Sequence, residues 1–310
     1  ENGKFVANLW DGVELTKTNN WVPATPKYWT NDTDKYTFLA YAPYSDAGIK
    51  VTTGLTPAVE YTVNSDLSKQ IDLLYANAED HVNMVKPDNN TVTLKFNHAL
   101  SRLTVKASAT GEAFKFDVKE VFIEGKFNTK DVLTLATGAW TNNGAVAATD
   151  AKYTFHTKET GKDAENNPIY TAYAESNALT STPIDYSGTT YDAEGKVAEY
   201  GNNYLMMIPT NFSGEGNAAK LTVKYTTYYM DKESNVNTAT FDVPTDFVQG
   251  KAYVINLVFT KDLDVIKFAV DVADWDENTT AQEEYPADEP EENGTEEPAN
   301  PEPEDPAQGE

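Results

Sequence analysis

Three residue types in this chain have the chemistry for a site: histidines, clustered carboxylates and grouped aromatics. The histidines are His81, His98 and His156. None forms an H-x-x-x-H or H-E-x-x-H pair, so zinc ligation has no support in the spacing. His98 lies between two apolar alternations, where a packing or turn-bonding imidazole is the ordinary expectation. Asp271, Asp274 and Asp276 gather around Trp275, a group suited to sugar or Ca²⁺, or to two-carboxylate glycoside hydrolysis. Acids are 49 of 310 residues, however, so close pairs arise by chance, and a capped strand end is the simpler reading. Trp21, Tyr28, Trp29, Tyr36, Phe38, Tyr41 and Tyr44 could form a sugar-stacking platform; the alternation within Tyr36–Tyr41 favours core and edge packing. There is no G-x-S-x-G elbow. Gly214-Glu215-Gly216 lacks the third glycine and the helix of a dinucleotide loop, and reads as a hairpin turn. No catalytic, cofactor-binding or metal residue is therefore assigned, and the chain is expected to be a non-enzyme without a cofactor.

The elements that would position such groups are strands. Val92, Leu94 and Phe96 alternate with Thr91, Thr93 and Lys95, and Leu103, Val105 and Ala107 alternate with Arg102, Thr104 and Lys106. The same period recurs in Leu221/Val223/Tyr225, Tyr253/Ile255/Leu257/Phe259 and Ile266/Phe268/Val270/Val272. Period two over such lengths marks half-buried strands. Pro87-Asp88-Asn89-Asn90 and Asn142-Asn143-Gly144 supply turns between them. Many short antiparallel strands with polar outer faces predict an all-β sandwich or barrel. One stretch stays open: Leu67, Ile71, Leu74, Tyr75 and Ala78 fit a helix behind Ser65 as N-cap, while Ile71, Leu73 and Tyr75 fit a strand. A boundary is expected near Asn142–Thr149, giving domains 1–147 and 148–275, and Leu-Thr-Val-Lys occurs in both halves.

Charge bounds the partners. Lys plus Arg number 24 against 49 acids, a net charge of −25. Nucleic acid and anionic membrane surfaces are excluded as electrostatic partners by that sign. No run of eighteen apolar residues exists to span a bilayer as a helix. Zero Cys removes disulfides, thiolate metal sites and cysteine nucleophiles. Fourteen acids and six Pro fall in Asp276–Glu310, which reads as a disordered, self-repelling tail; the rest carries −11. The opening Glu1-Asn2-Gly3-Lys4-Phe5 has no signal-peptide pattern, leaving a cytoplasmic chain or one whose export segment is missing. Its 18 Tyr, abundant Thr and Asn, and single Arg (Arg102) favour export.

In order along the chain, several runs resemble the fimbrillin-like proteins of Bacteroidota, two-domain subunits of type V pili. They are Tyr28-Trp29, Tyr36–Tyr44, Ile71–Ala76, Val92–Val105, Gly138-Ala139-Trp140, Leu205–Pro209, Gly250–Ile255 and Ile266–Trp275. Phe96-x-His98-Ala99-Leu100-x-x-Leu103 and the Ile208-Pro209 strand end are the most specific. The resemblance implies two tandem transthyretin-like antiparallel β-sandwiches, export as a lipoprotein to the outer membrane and cell surface, and adhesive fimbriae. It tips Ile71–Ala76 toward a strand and implies no enzymatic activity. Other pilus subunits, joined by sheet-edge strand addition, are the implied partners. The early strands and lipid-bearing Cys of family precursors are missing, which predicts an unfilled sheet edge within residues 1–147. Asp276–Glu310 lacks the apolar alternation of a donor strand, so a tip, anchor or accessory subunit is expected rather than a stalk. A free-standing surface module recognising glycan or host protein through exposed aromatics is the alternative.

Overall fold

Alternating apolar residues leave one face of each strand to bury, and the chain solves this with sheets packed face to face. The structure is a computed structural model, and it describes residues 10–17, 21–25, 34–82, 92–111, 114–142, 149–188, 190–191, 197–199, 203–212, 218–230, 232–243, 246–260 and 266–275. The fold is all-β; the described helical turns are two three-residue 3₁₀ segments, Leu67–Lys69 and Glu175–Asn177.

A first group of sheets is built early in the chain. Leu74–Val82 pairs with Lys35–Ala42 on one side and with Asn97–His98 on the other. The companion sheet runs in the order Ala139–Trp140, Lys130–Thr134, Ala58–Thr62, Ile49–Thr52. Val59, Tyr61 and Leu133 are fully buried there, and the Tyr61 ring meets Trp140 edge-on at 6.5 Å. Burial raises the Tyr61 phenol pKa, and its hydroxyl donates to the Ile71 carbonyl at 2.9 Å.

The second group carries most of the core. In one sheet Lys115–Phe127 lies between Thr149–Thr157 and Ala219–Tyr229, and the latter also pairs with Lys232–Glu233 and Asn237–Val243. In the other, Ser101–Ala109 pairs with Ile184–Asp185, Leu205–Met207 and Lys251–Phe259, and Ile266–Asp274 flanks the last. Leu103, Val105, Leu221, Val223, Ile255 and Leu257 project between them, at most 1% exposed. Each such side chain contributes roughly 1.5–3 kcal/mol of burial. Phe259 touches Phe116 and Tyr225 across the gap, at 5.2 and 5.1 Å between centroids.

Three sequence expectations are revised. Lys251–Phe259 runs parallel to Ser101–Ala109, whereas antiparallel pairing was expected throughout. A parallel pair needs a long crossover, and about 140 residues separate the two strands. The alternation Thr93–Phe96 forms no strand, and Phe96 is 40% exposed. The ambiguous stretch is both: Asp66, not Ser65, caps a single 3₁₀ turn by accepting from the Ser68 N–H, and the strand begins at Leu74. Both large sheets take strands from either side of Asn142–Thr149. Lys130–Thr134 and Ala139–Trp140 return to the first group after Ser101–Ala109 and Lys115–Phe127 have joined the second. All described residues fall within one compact unit, Glu1–Thr280. The expected tail, 276–310, lies outside the described residues.

The outer face of the Lys115–Phe127 sheet is polar yet covered. Glu120 accepts from Lys224 at 2.8 Å and Lys152 at 3.0 Å, one lysine from each neighbouring strand. Asp117, fully buried, is held by Lys158 and by Lys119 at 2.7 Å; Lys119 also reaches Glu233 at 3.2 Å. Burial opposes ionisation of Glu120, but the two lysine hydrogen bonds outweigh it and hold its pKa below the usual 4.5. Its stabilising contribution is therefore complete above that value and lost as pH falls through the depressed one. Glu120→Gln should lower the melting temperature clearly at pH 7 and much less at about pH 3. Thermal unfolding of both proteins at the two values checks this; a gap that does not narrow in acid contradicts it.

Candidate functional site

The sequence candidates are placed in different ways. His98 Nδ1 lies 2.8 Å from Asp72 Oδ2, and its ring stacks on Trp275 at 4.1 Å and 6°. Asp271 accepts from Asn256 Nδ2 at 2.6 Å, and Asp274 pairs with Lys251. Two of the three carboxylates around Trp275 are thus engaged by neighbouring side chains, while Asp276 lies outside the described residues. His156 packs on Tyr186 at 4.8 Å, and burial pushes its imidazole pKa down. His81 opposes Tyr36 in the strand register. The aromatic set divides: Trp21 is 63% exposed on the Trp21–Pro23 strand, Tyr36 is buried, Phe38 meets Trp10, and Tyr41 stacks on Tyr44. Tyr28, Trp29 and Gly214–Gly216 lie outside the described residues.

What these groups build is a junction. The indole of Trp140 donates to the Ala99 carbonyl at 2.9 Å, and the Ala99 N–H donates to the Leu73 carbonyl at 2.8 Å. The Leu100 carbonyl accepts from Gly250 N–H, and the Gly250 carbonyl accepts from Trp275 N–H, both at 2.8 Å. Ser101 Oγ donates to the Met207 carbonyl at 3.2 Å. Arg102 lies 5.2 Å from the Trp275 ring centre and 5.5 Å from that of Tyr204. Gly138 adopts φ +66, and a Cβ there would sit 2.3 Å from the Tyr75 ring. Gln249 Nε2 donates to both Tyr75 Oη and the Gly138 carbonyl, at 3.2 and 3.1 Å. Asp72 and Arg102 fall within runs read as strand pattern and Gln249 within none, and sequence reasoning gave none of the three a role at a site.

A second feature faces outward. Among the described residues, Asn237–Val243 pairs only with Ala219–Tyr229, and Ile266–Asp274 only with Lys251–Phe259. These strands border the same flank, where Phe241 stacks on Phe268 at 5.1 Å and 8°. Ala239 and Phe241 turn inward, while Thr238, Thr240 and Asp242 are exposed. At one end of the flank lies a cleft of about 830 Å³. An edge strand of this kind offers main-chain donors and acceptors to an added strand. In the first group, Lys35, Tyr36 and Phe38 are all engaged, so no open edge is assigned to Lys35–Ala42.

Comparison with known families decides the relationship: the profile described as fimbrillin-like matches residues 2–275. The chain belongs to the fimbrillin-like family. Among solved structures, this fimbrillin-like chain is similar to a fimbrial protein from Bacteroides vulgatus, with a TM-score of 0.59, 20% identity and 85% of each chain covered. A Bacteroides uniformis protein provisionally assigned to cell adhesion is also similar, at TM-score 0.42 and 16% identity over 83% of this chain and 80% of that one. No curated protein matches. The first likeness extends the agreement to the fold.

Trp275 closes the junction at 8% exposure. Trp275→Ala should cost about 3–5 kcal/mol in urea unfolding, because the cavity removes stacking from His98 as well as buried area. A loss under about 1 kcal/mol would show that the junction bears little of the stability.

Proposed function

We propose that this chain is a non-enzymatic structural and adhesive subunit of a bacterial surface fimbria. It joins neighbouring subunits by β-strand addition. Family membership supports the fimbrial part of the reading, and one observation carries the assembly part. The Asn237–Val243 edge is a seven-residue strand with inward apolar and outward small or polar residues, paired on one side among the described residues. A partner strand there would satisfy its outer main-chain groups and extend the sheet. The acidic composition of Asp276–Glu310 argues against that segment serving as a donor in a stack of copies, since like charges would align. That favours a tip, anchor or accessory position over a stalk. Residence at the outer membrane as an exported lipoprotein belongs to the same reading.

Thr240 and Asp242 lie on the exposed side of this edge and leave the core untouched when replaced. Thr240→Lys with Asp242→Lys should reduce incorporation into fimbriae at least about tenfold, because clustered lysines blunt a strand edge, while the melting temperature stays near the parent's. Immunogold counting of an epitope-tagged chain on assembled fimbriae measures this. Undiminished incorporation would remove the Asn237–Val243 edge from the assembly.

A further inference from the structure

The inner face of Ala219–Tyr229 is apolar along Ala219, Leu221 and Val223, as a sandwich interior requires. It changes character at the cleft. In an antiparallel pair directly opposed residues share a face, and the register sets Lys232 opposite Tyr229 and Asn237 opposite Tyr225. An ammonium and a carboxamide thus stand on the core-facing side, where the same sheet elsewhere carries hydrocarbon. Both line the cleft.

The surroundings define what they would meet. Phe114 and Tyr229 stack at 4.7 Å and 27°, and Tyr229 keeps 45% of its surface exposed. Tyr225, Phe241 and Ile266 complete an apolar floor. Glu233 also lines the cleft, but its charge is paired with Lys119 at 3.2 Å, it accepts from the Tyr228 hydroxyl at 3.1 Å, and the register sets it opposite Tyr228. The Lys232 ammonium has no ion pair among the described residues. In Asn237, Nδ2 donates to Ser234 Oγ at 3.2 Å, and its oxygen accepts nothing among the described residues. At about 830 Å³ the cleft has the volume of a small-ligand site. The Lys232–Glu233 strand also holds its wall in place without a ligand.

We infer that this cleft binds a carboxylate-bearing saccharide, a uronate or sialate. A sugar ring presents a face of C–H groups to the Tyr229 wall, a hydroxyl to Asn237, and its carboxylate to Lys232. A protein of net charge −25 repels anions generally, so a cation that is unpaired among the described residues and lines an aromatic cleft selects the acidic ring over an acidic surface. An added peptide strand fits less well. The wall is built of ring faces, and Lys232–Glu233 already pairs with Tyr228–Tyr229 along that edge. The inference goes beyond the pilus reading and shares no substituted residue with its test.

Titration calorimetry of the full chain with tri-galacturonate, sialyllactose and neutral maltotriose tests it. Saturable binding of at least one acidic sugar, with no saturation by maltotriose, is expected. Lys232→Gln should weaken that binding about tenfold or more, and Tyr229→Ala should abolish it. Both residues are exposed near a hairpin end, and an unchanged circular dichroism spectrum shows that the variants fold. No saturation by either acidic sugar at about 10 mM would overturn the inference. So would binding indifferent to both substitutions, or equal binding of the neutral sugar. If the variants instead alter self-association in sedimentation, the cleft is a contact between copies and the saccharide assignment fails.

Discussion

His98–Ser101 is the segment on which the two groups of sheets depend. It ends the Leu74–Val82 sheet and begins the Ser101–Ala109 strand, so the first passage of the chain between the groups runs through it. Its main chain is satisfied from distant places, Leu73 on one side, Trp140 on another and Gly250 on the far side, while the Ser101 hydroxyl donates to the Met207 carbonyl. Buried main-chain groups left without partners cost free energy comparable to a lost hydrogen bond, so none of these contacts is interchangeable with solvent. The His98–Trp275 stack then seals the junction from water. The most specific run of the family resemblance, Phe96 to Leu103, coincides with this segment, and the structure gives a physical reason for it.

The junction is also served by a return of the chain between the two groups. Once Ser101–Ala109 and Lys115–Phe127 have entered the second group, the chain sends Lys130–Thr134 and Ala139–Trp140 back to the first. Trp140 is what that return delivers: an indole under the Ala99 carbonyl and against Tyr61. Without Cys, the chain has no covalent tie to replace such packing. The cross-strand ion pairs around Glu120 and Asp117 play a related part on the outer face, binding three strands sideways. Charge is thus concentrated where strands are already paired on both sides. The exposed face of Asn237–Val243 carries Thr238, Thr240 and a single acid, Asp242, instead, a surface more open to pairing.

Much of the fold was legible wherever period two reflects two real faces. The alternations through Leu103, Leu221 and Tyr253 became strands with a buried side, and that through Ile266 became a strand half-buried along Ile266, Phe268 and Val270 with Val272 exposed. Thr93–Phe96 shows the same period and forms no strand, since alternation says nothing about whether a partner is in reach. Local pattern was equally silent on the parallel pairing of Ser101–Ala109 with Lys251–Phe259, a consequence of a long crossover. At the sites, Trp275 and His98 stood out by type, but their meeting needed Asp72 and Arg102 from elsewhere. The cleft was invisible because Lys232 and Asn237 look like ordinary turn-flanking polar residues until the register turns them inward.

If His98–Ser101 welds the groups into one body, they cannot unfold separately. Differential scanning calorimetry of the intact chain measures this directly. The account predicts a single transition whose van't Hoff and calorimetric enthalpies agree. Two resolved transitions, or a calorimetric enthalpy well above the van't Hoff value, would show two bodies joined in series and contradict it.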